Sequence, residues 1–458
     1  MTDRRIAWGL IALGIVARVA AVLILQSHLI PQSTYEHGEI AANLLAGRGF
    51  SVHFLGADGP TSQQAPIYPL MVAAAYLVGG VETPKSLLIL ELGQAVLGGW
   101  LVAETIRLAR AVAPGRRWAA IAAGLIAAIH PTLVYAATHV QVASLASTLL
   151  VIVLVRAFEA KTGRDAFVAG LWLAALVLTD PILGLVAPGA AWAMAIGRGG
   201  WRPARRSIAM MGLAAAVGVS PWIVRNATVH GEFVFIKSTF GYAFWQGNCA
   251  LSQGTDKVVR ASVETPLNRD ATSLRDLNAN LWAARHEAGY LDDIALTPTD
   301  YRILGLVSEP ERSRILFRRA LHELKAAPGR YWSLCLRRLR YFVLFDETNP
   351  KTRSRLYRVS HLGLTLMAVM GLIAAAPNLR KRIGPTVLTV GLIAAFHAMT
   401  IVSARFHIPI EPILAVWAGA GLSRCGAGWS TSTDAAGEVK GVGAGDGLEL
   451  RIGRDGAG

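Results

Sequence analysis

The sequence predicts an all-α polytopic membrane protein with about ten transmembrane helices, interfacial helices in the first outer loop and a mostly helical outer segment. Hydrophobic residues make up 53% of the chain and charged residues only 16%, with a mean hydropathy of +0.42. Several apolar runs approach the roughly 20 residues that a helix needs to cross a bilayer. Lysine and arginine are concentrated in short clusters between those runs, as topology signals are.

The first apolar run, residues 6–26, follows Arg4 and Arg5 and has no convincing cleavage site, which predicts a membrane anchor with a cytoplasmic N-terminus. Residues 28–80 then form the first outer loop. Its apolar part, 66–80, is broken by Pro69 and leaves two interpretations. If it spans the membrane, the arginines at 107–117 lie outside, against the charge rule. If it is interfacial or re-entrant, they are cytoplasmic, and we adopt this second interpretation.

The remaining spans follow a regular alternation of apolar runs and basic loops. This predicts 1–225 as an N-terminal transmembrane module, 226–357 as an outer domain on the periplasmic side, 358–424 as C-terminal transmembrane helices and 425–458 as a disordered cytoplasmic tail. The expected location is the inner (plasma) membrane, with multiple passes. The predicted spans are 6–26, 86–105, 118–133, 142–155, 166–178, 183–196, 208–224, 359–376, 384–402 and 408–422.

Composition and motifs also exclude several function classes. The formal charge of +15 comes mostly from basic clusters between apolar runs, so we do not expect a nucleic-acid partner. The three cysteines form neither a CxxC nor a zinc spacing. The sequence contains no GxxxxGK[ST], HExxH or GxSxG motif. Apolar residues at helical spacing in 309–345, broken by Pro328, predict two surface helices in the outer domain.

The acids of the first outer loop are the best candidates for chemistry. Glu36, His37 and Glu39 open a predicted short helix that ends at Gly47 and Gly49. At their spacing Glu36 and Glu39 share a helix face. A carboxylate at the bilayer edge is partly desolvated, which raises its proton affinity and suits it to general-base catalysis. The alternative is an ordinary amphipathic connector with solvated acids.

Four segments resemble the glycosyltransferase-C superfamily, specifically bacterial proteins similar to dolichyl-phosphate-mannose protein mannosyltransferases and lipid A aminoarabinose transferases. The first is YEHGEIAANLLAGRGFSVHFLGADGPTSQQAPIYPLMVAAAYLVGG in the first outer loop. The others are SPWIVRNATVHGEFVFIKSTFGYAFWQGN, EPERSRILFRRALHELKAAPGRYW and SARFHIPIEPILAVWAGAGL. Together, in this order, they extend to about residue 422.

The resemblance implies transfer of a hexosyl or pentosyl group from a polyprenyl-phosphate donor to a lipid, glycan or protein acceptor on the outer face. It assigns the first-loop acid to Glu36, with Glu39 as the second choice. Relatives often have Asp there. The aminoarabinose transferases also use a carboxylate just before the interfacial helix, where this chain has Gln63 and Gln64. This departure speaks against a two-carboxylate or metal-assisted mechanism, so no cofactor is assigned, although a divalent metal stays an open option.

A leaving phosphate needs cationic donors, and arginine matches it with two parallel hydrogen bonds. Arg225 and Arg405, each at an outer end of a predicted span, are the first candidates, with interfacial anchoring as the alternative. Arg18, inside the first span, is the third, and for it snorkelling or pairing within the bundle is favoured. Candidate substrate-lining residues are His37, Gln64, Tyr68, His139, Trp245, His407 and Glu411.

The resulting hypothesis is an inverting glycosyl transfer in the membrane, with Glu36 as the base. The alternative from another class is a transporter or flippase of lipid-linked saccharides. Such a protein is expected to carry paired Gly/Pro-broken spans in corresponding halves, which are not evident here. A third interpretation is a membrane scaffold without catalytic activity, in keeping with the missing second acid.

Overall fold

The computed structural model describes residues 3–31 and 34–434. Within them the chain is almost entirely helical, with one two-stranded hairpin. The elements in chain order are α1 Asp3–Leu25, α2 Tyr35–Leu45, β1 Ser51–Phe54, β2 Ala57–Pro60, α3 Ile67–Gly79, α4 Pro84–Val112, α5 Arg117–Ile129, α6 Pro131–Tyr135, α7 Ala143–Glu159, α8 Gly163–Val177, α9 Ala187–Gly197, α10 Trp201–His230, α11 Phe240–Asn248, α12 Glu264–Leu267, α13 Leu274–Glu287, α14 Asp292–Ala295, α15 Pro298–Gly305, α16 Glu309–Ala326, α17 Pro328–Val343, α18 Arg355–Ala374, α19 Pro377–Met399 and α20 Glu411–Asp434.

Five described helices are long and apolar enough to cross a membrane: α1, α4, α10, α18 and α19. The pair α5 and α6, bent by 48°, adds a sixth if it is one broken span. The protein is therefore a multi-pass membrane protein. All ten predicted spans coincide with helices, but α7, α8, α9 and the apolar part of α20 are short. The predicted count of about ten transmembrane helices is not confirmed.

The bundle packs tightly because glycines lie where helices approach one another. A Cβ atom at Gly371 in α18 would lie 2.0 Å from the main-chain oxygen of Trp417 in α20. A Cβ atom at Gly170 in α8 would lie 2.3 Å from the main-chain oxygen of Met211 in α10. Small residues at such crossings let the backbones of membrane helices come into contact. The core is lined mainly by Ala, Val and Leu side chains of α4, α5, α7 and α20.

The first loop contains the predicted short helix, α2, and a hairpin that the sequence analysis missed. Strands β1 and β2 are antiparallel, with Phe54 opposite Ala57. The two turn residues, Leu55 and Gly56, have φ of 47° and 87°, as in the tight turns that suit hairpin twist. A Cβ atom at Gly56 would lie 2.3 Å from the carbonyl oxygen of Tyr301, so glycine is required there by contact as well.

Helix α3 has 13 residues, which corresponds to about 20 Å. This is too short to cross a bilayer alone, in agreement with the interfacial or re-entrant interpretation of residues 66–80. The two surface helices predicted in 309–345 are α16 and α17, and Pro328 begins the second of them. The last helix runs to Asp434, so residues 425–434 are helical where a disordered tail is predicted. The rest of that tail, 435–458, lies outside the described residues.

The first loop packs on the long segment, which we define as residues 226–357. Ile40 and Phe54 from the first loop share one buried hydrophobic cluster with Trp245 and Leu316 from the long segment. The two regions therefore lie at the same end of the helix bundle. A side chain of α2 that points towards this interface therefore lies next to residues of the long segment.

Candidate active site

Glu36 lies in the first turn of α2 and is partly exposed. No described residue forms a hydrogen bond or ion pair with its carboxylate. Burial raises the pKa of Tyr242 and Tyr290 of the long segment, and the negative charge of Glu36 adds to both shifts. Burial lowers the pKa of Lys237, and the charges of Asp180 and then Glu36 oppose that shift. The carboxylate of Glu36 therefore has no described bonding partner and lies within electrostatic range of tyrosines and a lysine of the long segment.

Glu39 has a different role from Glu36, although one helical turn separates them. Its Oε1 accepts a hydrogen bond of 2.6 Å from the main-chain N–H of His53 in β1. This bond ties α2 to the hairpin. The shared face that the sequence predicts does not bring the two carboxylates to common partners, and the contacts favour Glu36 over Glu39 as the reactive acid.

Five cationic side chains come together near Glu36, and we call them the basic cluster. They are Lys237, Lys257, Arg285, Lys351 and Arg405. Arg405 lowers the pKa of Lys237 and Lys257, while Arg285 and Lys257 lower the pKa of Lys351, each effect adding to that of burial. These residues come from five separate segments of the chain. Among the described residues, no carboxylate oxygen lies within 4.0 Å of any of these five side chains. Positive charge collected without acidic partners indicates an anion site.

The members of the basic cluster rest on aromatic rings. The Nζ atom of Lys257 lies 3.3 Å from the ring centre of Tyr290, and that of Lys351 lies 3.6 Å from the ring centre of Trp282. The guanidinium of Arg285 lies 4.9 Å from the ring centre of Tyr35. Aromatic faces hold a cation without using its hydrogen-bond donors. The buried Lys351 Nζ and Arg285 Nε have no hydrogen-bond partner in the described chain.

Burial is the main cause of the lowered pKa values of the three lysines in the basic cluster. It lowers the pKa of Lys257 to about 8, and Arg285 and Arg405 contribute in the same direction, while Asp256 opposes them. Burial also places the pKa of Lys351 well below its usual range. A bound anion would reverse these shifts, because it stabilises the charged form of each lysine. The cluster is therefore arranged for a ligand that brings negative charge.

Arg225 was predicted to bind phosphate, but its guanidinium is used to hold the first loop. Nη1 donates to the carbonyl oxygen of Thr61 at 2.6 Å and to Ser62 Oγ at 3.2 Å. Nη2 donates to the carbonyl oxygen of Phe50 at 3.1 Å. Glu309 holds the same part of the loop, since its Oε1 accepts from the Ser62 N–H at 2.7 Å. We therefore assign Arg225 to positioning the loop rather than to the phosphate.

Replacing Arg225 with alanine is expected to destabilise the protein by about 2 kcal/mol or more, because buried carbonyl oxygens lose their donors. Donor affinity should change less than about threefold in the fraction that stays folded. Thermal unfolding of the purified protein measures the first effect, and titration with undecaprenyl phosphate measures the second. Arg302→Ala, at an exposed position, is the control. A stable Arg225→Ala protein with strongly weakened phosphate binding would return this residue to the phosphate site.

Arg18 is also occupied, inside the bundle. Its Nη1 donates to the carbonyl oxygens of Gly14 and Ala128, and its Nη2 donates to that of Ala127, all at 2.9 to 3.1 Å. A Cβ atom at Gly98 would lie 2.0 Å from Arg18 Nε, so this glycine makes room for the side chain. These bonds join α1 to α5. Pairing within the bundle, the favoured alternative for Arg18, agrees with the structure, and a phosphate role does not.

Two of the predicted substrate-lining residues lie beside Glu36 and the basic cluster. The ring of His37 lies 4.9 Å from that of Tyr68, and its Nδ1 has no described partner. Burial, followed by the charges of Lys237 and Arg405, lowers the pKa of His37 to about 3, so it is neutral at physiological pH. Gln64 accepts a hydrogen bond of 3.0 Å from Lys237 Nζ. These groups are well placed to contact a bound substrate.

The other predicted lining residues are dispersed. His139 lies next to the basic cluster, with its ring 5.6 Å from that of Trp282. Tyr68 is buried, and its hydroxyl donates a hydrogen bond of 2.9 Å to Gln94 Oε1, so the side chain joins α3 to α4 within the protein. Trp245 is buried in the hydrophobic cluster that joins the first loop to the long segment, so its ring is not open for stacking on a sugar.

His407 and Glu411 form a separate, buried group with His361 of α18. No side-chain hydrogen bond or ion pair among the described residues joins this group to Glu36 or to the basic cluster, although His407 follows Arg405 by two residues. The residues that the sequence analysis placed in one site are thus divided between two places.

Lys237, Lys257, Arg285 and Lys351 are the members of the basic cluster that the sequence analysis missed. Residues 226–357 are rich in arginine and contain only four lysines, at 237, 257, 325 and 351. Three of these four belong to the basic cluster. The presence of lysine in place of arginine in this segment could therefore have indicated the site residues, although no sequence motif marks their positions.

Comparison with known proteins supports the fold. No family model matches the chain, and no curated protein matches it. The apo oligosaccharyltransferase of Archaeoglobus fulgidus superposes with a TM-score of 0.50 and 13% identity, over 95% of this chain and 52% of that chain. ArnT from Cupriavidus metallidurans bound to undecaprenyl phosphate gives a TM-score of 0.40 and 13% identity, over 94% and 80% of the two chains.

The superposition on the oligosaccharyltransferase shows that this chain shares its fold, which is the fold implied by the resemblance to the glycosyltransferase-C superfamily. This chain spans about half the length of the oligosaccharyltransferase chain that it matches. At such low identity the likeness concerns the fold alone, and the activity has to be argued from the site.

Proposed function

We propose that the protein is a membrane glycosyltransferase that moves a sugar from a polyprenyl-phosphate donor to an acceptor on the outer face of the inner membrane. The observation that carries this proposal is the basic cluster, five cations without an acidic partner among the described residues, beside the free carboxylate of Glu36. The cations match a phosphate, and the carboxylate matches the proton that the acceptor must lose. The glycosyltransferase-C fold supports the proposal.

In the proposed reaction the phosphate of the donor binds the basic cluster, with Arg285 and Arg405 as its hydrogen-bond donors. The acceptor hydroxyl or amine attacks the anomeric carbon from the side opposite the phosphate, and its proton passes to Glu36. The bond between the anomeric carbon and the phosphate oxygen breaks, and polyprenyl phosphate leaves with the electron pair. The cations stabilise the charge that develops on this oxygen. Attack from the opposite side inverts the configuration at the anomeric carbon.

A divalent metal does not fit next to Glu36. The charge of Glu36 acts on Lys237, and Gln64, which stands where the aminoarabinose transferases are expected to have a carboxylate, accepts a hydrogen bond from Lys237. Hard cations need several oxygen ligands of negative charge. We therefore derive no step of the transfer through a metal, and the basic cluster supplies the positive charge.

The test of this proposal separates transfer from translocation. Purified protein in proteoliposomes is given polyprenyl-phosphate sugars of defined structure and envelope material as acceptor. We expect polyprenyl phosphate to be released as the labelled sugar becomes attached to the acceptor. A lipid-linked saccharide that crosses the bilayer with its glycosyl phosphate bond intact would instead support the transporter or flippase. Neither event, with a full panel of sugars, would support a scaffold without catalytic activity.

The lowered pKa of Lys257, about 8, predicts that donor binding weakens at alkaline pH. Below pH 8 the side chain is charged and attracts phosphate, and above it the side chain becomes neutral. A sugar-linked phosphodiester keeps its single negative charge from pH 6 to 10, so the ligand does not contribute to the change. We expect affinity to fall about tenfold over the upper part of this range.

The control for this pH dependence is Lys257→Arg, because arginine remains protonated throughout. Its affinity for the same donor should stay level where the affinity of the wild type falls. An identical alkaline loss in both proteins would show that Lys257 is not the group responsible.

A further inference from the structure

A second cluster of potential ligands is buried in the bundle, with no side-chain hydrogen bond or ion pair to the basic cluster or Glu36 among the described residues. His361 lies in α18, His407 in the turn before α20, and Glu411 is the first residue of α20. Their side chains are at most 2% exposed. One ligand atom from each lies within 4.8 Å of the others. Glu411 Oε1 is 3.1 Å from His407 Nδ1 and 3.5 Å from His361 Nδ1.

Hydrogen bonds on the far side of each group aim these atoms at a common point. His361 Nε2 donates to the carbonyl oxygen of Val343 at 3.0 Å, which leaves the lone pair on Nδ1. His407 Nε2 contacts the hydroxyl of Tyr357 at 2.7 Å. When Nε2 carries the proton, the lone pair of this ring is also on Nδ1. Such outer hydrogen bonds are typical of metal-binding histidines, because they fix the tautomer and the ring orientation.

The carboxylate is held in the same manner. The hydroxyl of Thr132 donates to Glu411 Oε2, which leaves Oε1 facing the two histidines. The inward atoms of His361, His407 and Glu411 are all buried without a hydrogen bond of acceptable geometry in the described chain. Unpaired buried polar atoms are costly, and three that converge on one point indicate a ligand that all of them share.

His130, at the end of α5, contacts the same Thr132 hydroxyl that holds Glu411, but its ring nitrogens are not among the three mutually close ligand atoms. Its Nδ1 is 3.3 Å from Thr132 Oγ1. Because the single proton of this hydroxyl goes to Glu411, His130 Nδ1 must be the donor in this contact. Its Nε2 therefore carries the lone pair, and this atom is buried without a partner among the described residues.

We infer that His361, His407 and Glu411 bind one divalent transition metal of the zinc class. Two imidazole nitrogens with one carboxylate oxygen suit Zn²⁺, and three protein ligands leave one of its usual four positions to another group. The metal links α18 and α20, which are separated in the sequence by the whole of α19. This inference is independent of the proposed glycosyl transfer, since none of these residues takes part in it.

Metal analysis of the full-length protein tests the inference. The protein is purified with a tag that contains no histidine, incubated with Zn²⁺, separated from free metal and analysed by mass spectrometry. We expect about one zinc per chain, at least a tenfold loss of occupancy in Glu411→Gln and His361→Asn, and wild-type occupancy in the control His397→Asn. His397 is buried like the others, but its Nδ1 contacts the carbonyl oxygen of Ile401 at 3.0 Å.

A second measurement uses only the wild type, in case a variant fails to fold. Removal of metal with a strong chelator should lower the midpoint of thermal unfolding by several degrees, and stoichiometric Zn²⁺ should restore it. Co²⁺ in place of zinc should give the visible absorption bands of a four-coordinate site. The inference is overturned if the wild type retains no zinc and shows no thermal shift. It is also overturned if Glu411→Gln holds as much zinc as the wild type. Either result would mean that Glu411 is paired with a protonated histidine.

Discussion

Replacement of Glu36 by glutamine is expected to slow sugar transfer by at least about 100-fold, while donor affinity stays within about twofold. Glutamine keeps the size of the side chain but does not accept the proton of the acceptor. The carboxylate has no described hydrogen-bond partner, so the change breaks no structural contact. Single-turnover transfer in proteoliposomes measures the rate, and titration with a polyprenyl-phosphate sugar measures the affinity.

The matched control is Asp58→Asn, another acid of the first loop. Asp58 is exposed on the hairpin and pairs with His53 at 2.8 Å. The Asp58→Asn variant should transfer sugar at the rate of the wild type. If Glu36→Gln also transfers at that rate, Glu36 is not the base, and Glu39→Gln would be the next variant to examine. Glu39 differs in that its carboxylate holds the hairpin.

The double variant Arg285→Gln, Lys257→Gln is expected to weaken donor binding by at least about 100-fold. Each charge-assisted hydrogen bond to phosphate contributes roughly 1.5–3 kcal/mol, and about 1.4 kcal/mol corresponds to a factor of ten. Glutamine retains some hydrogen-bonding capacity, so the loss reports mainly the missing charge. The dissociation constant for undecaprenyl phosphate, measured in detergent at low salt, checks this prediction.

The control for the double variant is Arg318→Gln, which removes an exposed arginine of the same long segment that pairs with Glu311 at 2.7 Å. Its affinity should match that of the wild type, because exposed ion pairs contribute little. Equal losses in both proteins would indicate a general charge effect and not a phosphate site. Unchanged affinity in the double variant would remove the basic cluster from the account.

Much of the fold could be predicted from hydrophobic patterning. All ten apolar runs coincide with helices, and the run at 66–80 forms a helix of 13 residues, in keeping with the prediction that it is interfacial or re-entrant. The pattern was less reliable where helices are short or bent. The pair α5 and α6 bends by 48°, with Pro131 at the break. The hairpin was missed because its turn places a leucine, Leu55, at positive φ, a conformation that turn rules assign to Gly, Asn or Asp.

The candidate site was less predictable, because its cations depend on contacts between distant segments. The sequence placed Arg225 at the end of a helix, but its partner Thr61 lies 164 positions away. The guanidinium groups of Arg225 and Arg18 both donate hydrogen bonds to main-chain carbonyl oxygens. No local sequence pattern indicates these bonds. Arg405 was identified from its place near the last helix. Lys257 and Lys351 come together only when distant parts of the long segment fold against each other.

The most direct test of the account is a structure of the full-length protein with undecaprenyl phosphate bound in a lipid nanodisc. The account predicts that the phosphorus atom lies within about 4 Å of the side-chain nitrogens of Arg285 and Arg405, next to the Glu36 carboxylate. Phosphate density at another position, with the five cations of the basic cluster unoccupied by the ligand, would contradict it.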